Sequence, residues 1–159
     1  LDVFSSGKEI GAALEVIEKI NKPVLVGVHL KKNNKLPSNE TISEIVNKYQ
    51  SSNWLGIIAS CVSLEIVNSS INEIKKFNLP YGFKANLWGK EEPLPVHKFN
   101  QSKPDEIGKN PNVVLGSRKE IDGPAFYDFA KKLKDQGATI LGGCCETKPS
   151  HISAISKLK

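Results

Sequence analysis

This 159-residue chain contains no methionine, a single arginine and only three cysteines, and it has no long hydrophobic run. Because methionine is absent even at position 1, we expect the C-terminal part of a longer protein or a truncated relative of one. The apolar runs are well short of the ~20 residues that a membrane-spanning helix needs, and no secretory signal opens the sequence. We therefore expect neither a membrane partner nor export.

The small number of cysteines bears on the cellular compartment. Three cysteines without a secretory signal are typical of a reducing environment. In such an environment thiols bind metals or carry out chemistry more often than they form disulfides. We therefore expect a cytoplasmic protein whose cysteines are free or bound to a metal.

The shortage of arginine argues against nucleic-acid binding, although the chain carries a net charge of +5. Of the 22 basic residues only Arg118 is an arginine, and the lysines are scattered among glutamates. Recognition of bases and phosphates favours the forked guanidinium group. We interpret the positive charge as a solvated, lysine-rich surface and expect no nucleic-acid partner.

The remaining composition, with 39% hydrophobic and 25% charged residues, is that of one globular domain spanning residues 1–159. Short apolar runs alternate with segments of helical period, which indicates an α/β fold with a parallel sheet. The five predicted strands lie near residues 1–4, 24–28, 55–60, 80–86 and 138–141. The five predicted helices begin near residues 8, 42, 64, 124 and 149.

The stretch from Lys90 to Pro124 interrupts this alternation and holds five of the nine prolines. We interpret residues 90–124 as one long loop within the domain. A loop of this length is usually functional or mobile. We expect it to cover one end of the sheet.

The three cysteines follow predicted strands. Cys61 ends an apolar run, and Cys144 and Cys145 follow Gly142-Gly143 at the end of the last strand. Functional residues of βα folds gather at the carboxyl ends of the strands, so we expect these thiols to form one metal site. Neighbouring residues of a regular strand point to opposite faces, so the chain must turn at the glycines or just after the cysteine pair. Cys61 by itself is equally well explained as a small buried hydrophobic residue.

Two motifs resemble signatures of the homocysteine S-methyltransferase family, which includes betaine-homocysteine methyltransferases and the homocysteine-binding part of cobalamin-dependent methionine synthase. The segment Gly142-Gly-Cys-Cys-Glu-Thr-Lys-Pro-Ser-His-Ile152 resembles the family's GGCC signature, and Ala59-Ser-Cys61 resembles its strand ending in Asn-Cys. The order and spacing of the two motifs also match. Asp2-Val-Phe4 lies where the family has a substrate-binding Glu motif, and Ala85-Asn86 resembles a strand end of the family.

The resemblance implies a (β/α)8 TIM-type barrel, of which this chain holds about five βα units, strands 4 to 8. It implies that three cysteines bind one Zn²⁺, namely Cys61, Cys144 and Cys145. Three protein ligands with an open fourth position are typical of catalytic zinc sites. The substrate-binding positions that it implies are Asp2 for the ammonium group of homocysteine, Asn86 for its orientation or that of the metal ligands, and Ser60 beside them.

The implied reaction transfers a methyl group to the zinc-bound thiolate of homocysteine and gives methionine. A free thiol with a pKa of ~8.5 is mostly protonated at neutral pH, whereas a zinc-bound sulfur stays deprotonated. Betaine, S-methylmethionine and methylated cofactors remain open as donors. The alternative is a non-catalytic or truncated zinc-binding βα domain that has lost methyl transfer.

Several positions depart from the family pattern. Ser60 stands where the family has Asn, Glu146 replaces a Gly, and Lys148 replaces a Thr that could cap the last helix. The chain is also short for a barrel of ~250 residues. Because an incomplete barrel exposes sheet edges, we expect a homo-oligomer or a missing N-terminal half to complete it.

Some of these residues also have simpler interpretations. Asp2 is explained as well by a terminal or capping carboxylate, and Asn86 by hydrogen bonding within a turn. The histidines, His29, His97 and His151, are interpreted as surface or packing residues rather than as ligands.

Overall fold

The computed structural model of the chain describes residues 1–89 and 115–158, in which helices and strands alternate. The helices are α1 (Gly7–Ile20), α2 (Ile42–Tyr49), α3 (Leu64–Ile74), α4 (Gly123–Asp135) and α5 (Pro149–Ile155), and the 3₁₀ turn Lys75–Phe77 extends α3. The strands are β1 (Val24–Val28), β2 (Trp54–Ser60), β3 (Tyr81–Ala85) and β4 (Ile140–Gly143). None of the described helices combines the length and the apolar character needed to cross a membrane.

The helix starts follow from local capping chemistry. Ser6 and Thr41 each accept a hydrogen bond from the backbone N–H of a glutamate three residues on, Glu9 and Glu44. Each glutamate side chain bonds back to the backbone of the capping residue, which completes the two predicted capping boxes. The side chain of Asp122 caps α4 by accepting a hydrogen bond from the backbone N–H of Ala125, without a return bond.

All four strands lie parallel in one sheet, in the order β1-β2-β3-β4. Among the described residues each strand is therefore next to its neighbour in the chain. A doubly wound sheet reverses its strand order at a switch point, whereas a barrel adds its strands in sequence. The α/β class is confirmed, and the sheet is compatible with an arc of the expected (β/α)8 barrel.

The prediction of a strand at residues 1–4 is wrong, so the described residues form four strands rather than five. Within this segment Phe4 makes an isolated parallel bridge to Val28 of β1. Val3 has a φ angle of +58°, a left-handed conformation that interrupts an extended chain and that a β-branched residue rarely adopts. The segment nevertheless lies along β1 and so continues the order of the sheet.

Two boundaries differ from the sequence prediction. Strand β4 begins two residues later than predicted and includes both glycines of the GGCC motif, because Ile140 is the first residue to pair in register with β3. Helix α4 begins at Gly123, inside the end of the predicted loop. Residues 90–114 of that loop lie outside the described residues.

The core lies between the sheet and the helices. Its largest fully buried side chains include Phe83 of β3 and Phe126 of α4, whose rings meet edge to face at 6.2 Å. Burying a side chain of this kind stabilises a protein by about 1.5–3 kcal/mol. This contact holds α4 against β3, the strand that pairs with β4 just before the cysteine pair.

Candidate metal centre

The carboxyl ends of β2 and β4 bring the three cysteines together. The Sγ atom of Cys145 lies 3.7 Å from that of Cys61 and 3.8 Å from that of Cys144. All three sulfur atoms lie within 4.8 Å of one another. The cysteines therefore form one cluster, as their positions at strand ends predict.

The spacing of the sulfur atoms suits a metal ion. Zinc–sulfur bonds of about 2.3 Å in a tetrahedral site place the sulfur atoms about 3.8 Å apart. The two short separations in the cluster, 3.7 and 3.8 Å, match this value. Thiolate sulfur is a soft ligand that favours zinc, Cu(I) or iron–sulfur clusters over Mg²⁺ and Ca²⁺. The cluster could therefore hold a thiolate-binding metal through three protein ligands.

The backbone of Cys61 adopts an unusual conformation. Its φ angle is +55°, in a left-handed region that costs a non-glycine residue about 1–2 kcal/mol. The backbone N–H of Cys61 donates to the carbonyl of Lys84 at 2.7 Å, and Nδ2 of Asn86 donates to the carbonyl of Cys61 at 2.6 Å. These two bonds fix the peptide groups on both sides of the Cα atom. Such strain typically persists where the surroundings hold a functional side chain in place.

Cys144 and Cys145 lie in a tight turn that begins where β4 ends. The N–H and the hydroxyl of Thr147 both donate to the carbonyl of Cys144, at 3.2 and 2.5 Å. Glu146 has a φ angle of +63°, in the region usually left to glycine. A Cβ atom at Gly143 would lie 2.5 Å from Oγ1 of Thr147, so this position requires glycine. The chain thus turns just after the cysteine pair, which is one of the two predicted places.

The three thiols share charge unequally in the metal-free protein. Interaction with the Cys61 thiol lowers the pKa of Cys144 to about 6 against the effect of burial, and the backbone of Cys145 and the charge of Lys84 contribute to the lowering. The neighbouring Cys144, together with burial, raises the pKa of Cys61. Burial and the charge on Cys144 raise the pKa of Cys145. Cys144 is therefore the most acidic thiol of the cluster, and the first proton to leave the cluster does so below neutral pH.

Asp2 lies beside the cluster, where its carboxylate contacts residues near the ends of β2 and β3. It accepts hydrogen bonds from the hydroxyl of Ser60 and from the ammonium group of Lys84. Burial acts to raise the pKa of Asp2, but the bonds from Lys84 and Ser60 outweigh burial and lower it. A Cβ atom at Gly27 would lie 2.6 Å from Oδ1 of Asp2, so the absence of a side chain there makes room for the carboxylate.

Lys84 is a residue of this site that the sequence reasoning missed. It lies in β3, between the strands that carry the cysteines. Partial burial disfavours its charged form, but the hydrogen bond to Asp2 and the charge of Cys144 raise the pKa of Lys84. The sequence did carry a signal, because a lysine in an otherwise apolar central strand is unusual unless its charge is paired.

The two described histidines bond to backbone groups and do not join the cluster. Nδ1 of His29 lies 3.1 Å from the carbonyl of Ser60, and burial lowers the pKa of His29. His151 is also buried, and its two ring nitrogens bond to backbone groups at the start of α5 and just before α4. Both therefore act as packing residues. His97 lies outside the described residues.

A parallel βα sheet with three cysteine sulfurs gathered just beyond the ends of its strands defines an α/β protein with a thiol cluster that could hold a metal. Within that class, residues 1–158 match the family described as homocysteine S-methyltransferase. The chain therefore belongs to the homocysteine S-methyltransferase family, as the two motifs predict.

Three plant proteins, each named Homocysteine S-methyltransferase 1, are similar to the chain. The protein of Arabidopsis thaliana is 28% identical over 158 residues, an alignment that covers 94% of this chain and 42% of the relative. The protein of Brassica oleracea var. italica is 56% identical over 32 residues, covering 20% of this chain and 10% of the relative. The protein of Zea mays is 47% identical over 34 residues, covering 21% of this chain and 10% of the relative. The chain thus spans less than half the length of these curated relatives.

Proposed function

We propose that this chain forms the zinc-binding and homocysteine-binding part of an enzyme that transfers a methyl group to homocysteine and gives methionine. Membership of the family and the names of the relatives support this activity. The observation that carries the proposal is the sulfur cluster, with separations of 3.7 and 3.8 Å. Three cysteine ligands leave the fourth position of a tetrahedral zinc ion for the sulfur of the substrate.

The reaction needs a nucleophilic sulfur at neutral pH. Zinc held by Cys61, Cys144 and Cys145 would supply the Lewis acidity that keeps the substrate thiol deprotonated. In the transfer, an electron pair of the substrate sulfur forms a bond to the methyl carbon. The bond between that carbon and the donor atom breaks, and its electron pair stays with the donor. A donor with a positively charged nitrogen or sulfur thereby becomes neutral at that atom.

The residues around the cluster divide into substrate-binding and positioning groups. The lowered pKa of Asp2 keeps its carboxylate ionised and suited to bind the ammonium group of homocysteine, and the hydroxyl of Ser60 orients that carboxylate. Asn86 uses both ends of its side chain within the protein, donating to the carbonyl of Cys61 and accepting from the N–H of Trp88 at 3.2 Å. These two bonds make Asn86 a positioning residue for Cys61, and the second hydrogen of its Nδ2 is the group that would orient homocysteine.

Zinc binding tests the metal part of the proposal. We expect the wild-type chain to bind one zinc ion and Cys144→Ala to lose more than about 100-fold in zinc affinity. Even the loss of a residue that only hydrogen-bonds to a metal ligand lowers the affinity by about 10- to 100-fold, and Cys144 is itself a proposed ligand. Ser153→Ala, on the exposed side of α5, is the matched control and should bind zinc like the wild type. Equal stoichiometry and affinity in the wild type and Cys144→Ala would contradict the site.

Methionine formation tests the reaction. The zinc-loaded chain is mixed with homocysteine and, in turn, with betaine, S-methylmethionine, a methylated folate and a methylated corrinoid. We expect methionine with at least one donor from the wild type and none from Cys144→Ala. A zinc-loaded chain that binds homocysteine but is inert with every donor would favour the alternative of a domain that has lost methyl transfer.

A further inference from the structure

An ion pair stands at the edge of the sulfur cluster. Lys84 pairs in register with Ser60 on one side and with Gly142 on the other, so it lies between the two strand ends that carry the cysteines. Its ammonium group forms an ion pair with the carboxylate of Asp2. The two side chains keep 31% and 41% of their surface exposed, so a ligand can reach both charges.

The pair presents one positive and one negative group to the same space. An α-amino acid carries the complementary charges, an ammonium and a carboxylate, on a single carbon. Placed against the pair, its ammonium group meets Asp2 and its carboxylate meets Lys84, which gives four alternating charges. Charge-assisted bonds of this kind are about twice as strong as neutral ones.

We propose that Lys84 binds the α-carboxylate of the substrate while Asp2 binds its α-ammonium group, so that the ion pair selects a zwitterionic thiol. This inference rests on the proposed function and adds a residue that decides which thiols are accepted. The nearby sulfur cluster then receives the thiol end of the same molecule. A thiol that lacks the α-carboxylate cannot pair with Lys84 and therefore binds more weakly.

The experiment measures the binding of two thiols to the zinc-loaded protein by calorimetry. Homocysteine is compared with 3-mercaptopropylamine, which has the same chain and ammonium group but no carboxylate. We expect the wild type to prefer homocysteine by about 10- to 100-fold, the range for a hydrogen bond to a charged group. In Lys84→Met the preference should fall to about 1, while Lys84→Arg should keep most of it because the positive charge remains.

The ratio of the two affinities separates substrate recognition from a general loss of charge. Removing Lys84 changes the field at the cluster for both thiols, and this effect cancels in the ratio. Lys76→Met removes an exposed lysine that pairs with Glu73 far from the cluster, and it should leave the ratio unchanged.

The outcomes also separate this inference from the proposed function. A zinc-loaded wild type that binds homocysteine no better than 3-mercaptopropylamine overturns the role of Lys84, even if Lys84→Met is unstable. A preference that persists in Lys84→Met overturns it as well, and in both cases methionine formation stands. A wild type that binds neither thiol overturns the proposed function itself.

Discussion

The side-chain amide of Asn86 donates a 2.6 Å hydrogen bond to the backbone carbonyl of Cys61, 25 residues earlier in the chain. The backbone of Cys61 is in a left-handed conformation, with φ of +55°. The bond therefore holds a strained peptide in the orientation that turns its sulfur toward Cys145, 3.7 Å away. A residue that does not itself belong to the cluster thus helps to set the geometry of the cluster.

We predict that Asn86→Ala weakens zinc binding by about 10- to 100-fold, the cost typical of losing a group that orients a metal ligand. The buried carbonyl of Cys61 loses its partner, which also destabilises the fold by about 1–3 kcal/mol. Competition with a chelator of known affinity measures the first effect and chemical denaturation the second. Asn72→Ala, on the exposed face of α3, is the control. Unchanged zinc affinity in Asn86→Ala would leave Asn86 as a structural residue only.

Glu146 occupies a position where glycine should be better. Because its φ angle is +63°, Glu146→Gly should relieve about 1–2 kcal/mol of strain, partly offset by the greater flexibility of glycine in the unfolded chain. We therefore expect a net stabilisation of about 0.5–1 kcal/mol in denaturant unfolding. Glu146→Ala keeps the strain and should show no gain. Equal stability of the two variants would show that the left-handed backbone at position 146 costs the protein no measurable free energy.

His151 connects two segments on the α4 side of the sheet. Its Nδ1 accepts from the N–H of Lys148 at 2.8 Å, and its Nε2 donates to the carbonyl of Ile121 at 2.8 Å. We predict that His151→Phe, which keeps the ring but loses both bonds, destabilises the protein by about 1–3 kcal/mol. Ile152→Ala, at the partly exposed neighbouring position, should change the free energy of unfolding by less than about 0.5 kcal/mol. Thermal and urea unfolding of the three proteins provide the comparison.

The unequal pKa values of the cysteines predict how many protons zinc displaces. At pH 7.5 the metal-free cluster holds one thiolate because the pKa of Cys144 is lowered to about 6, while those of Cys61 and Cys145 are raised. Zinc binds thiolates, so its binding should release about two protons per chain. Calorimetry in buffers of different ionisation enthalpy measures this number. A release of about three would show that Cys144 is protonated before zinc binds.

The same values give the sign of a pH effect on the metal-free protein. The pKa of Cys144 is lower in the folded protein than in the unfolded chain, so its contribution to stability is present above the unfolded pKa and is lost as the pH falls through about 6. The raised pKa values of Cys61 and Cys145 act in the opposite sense, since their contribution is present below the unfolded pKa and is lost at high pH. Absorbance of the thiolate near 240 nm should show a single early titration, and Lys84→Met should move it to higher pH.

Much of the fold could be read from local patterns. The capping boxes at Ser6 and Thr41 and the apolar runs of β1 to β3 are properties of a few neighbouring residues, and the elements form where those patterns lie. The composition of residues 1–4 predicts a strand because it does not reveal the left-handed φ of Val3.

The sequence by itself determined the α/β class, the family and which cysteines form the cluster, because motifs and periodicity depend on residues that are close together in the chain. Only the tertiary structure decided the sulfur separations, the strained peptide of Cys61 and the pairing of Lys84 with Asp2, residues 82 positions apart. These contacts depend on the register between parallel strands, and the alternation of side chains along one strand does not specify which residue of the next strand lies opposite.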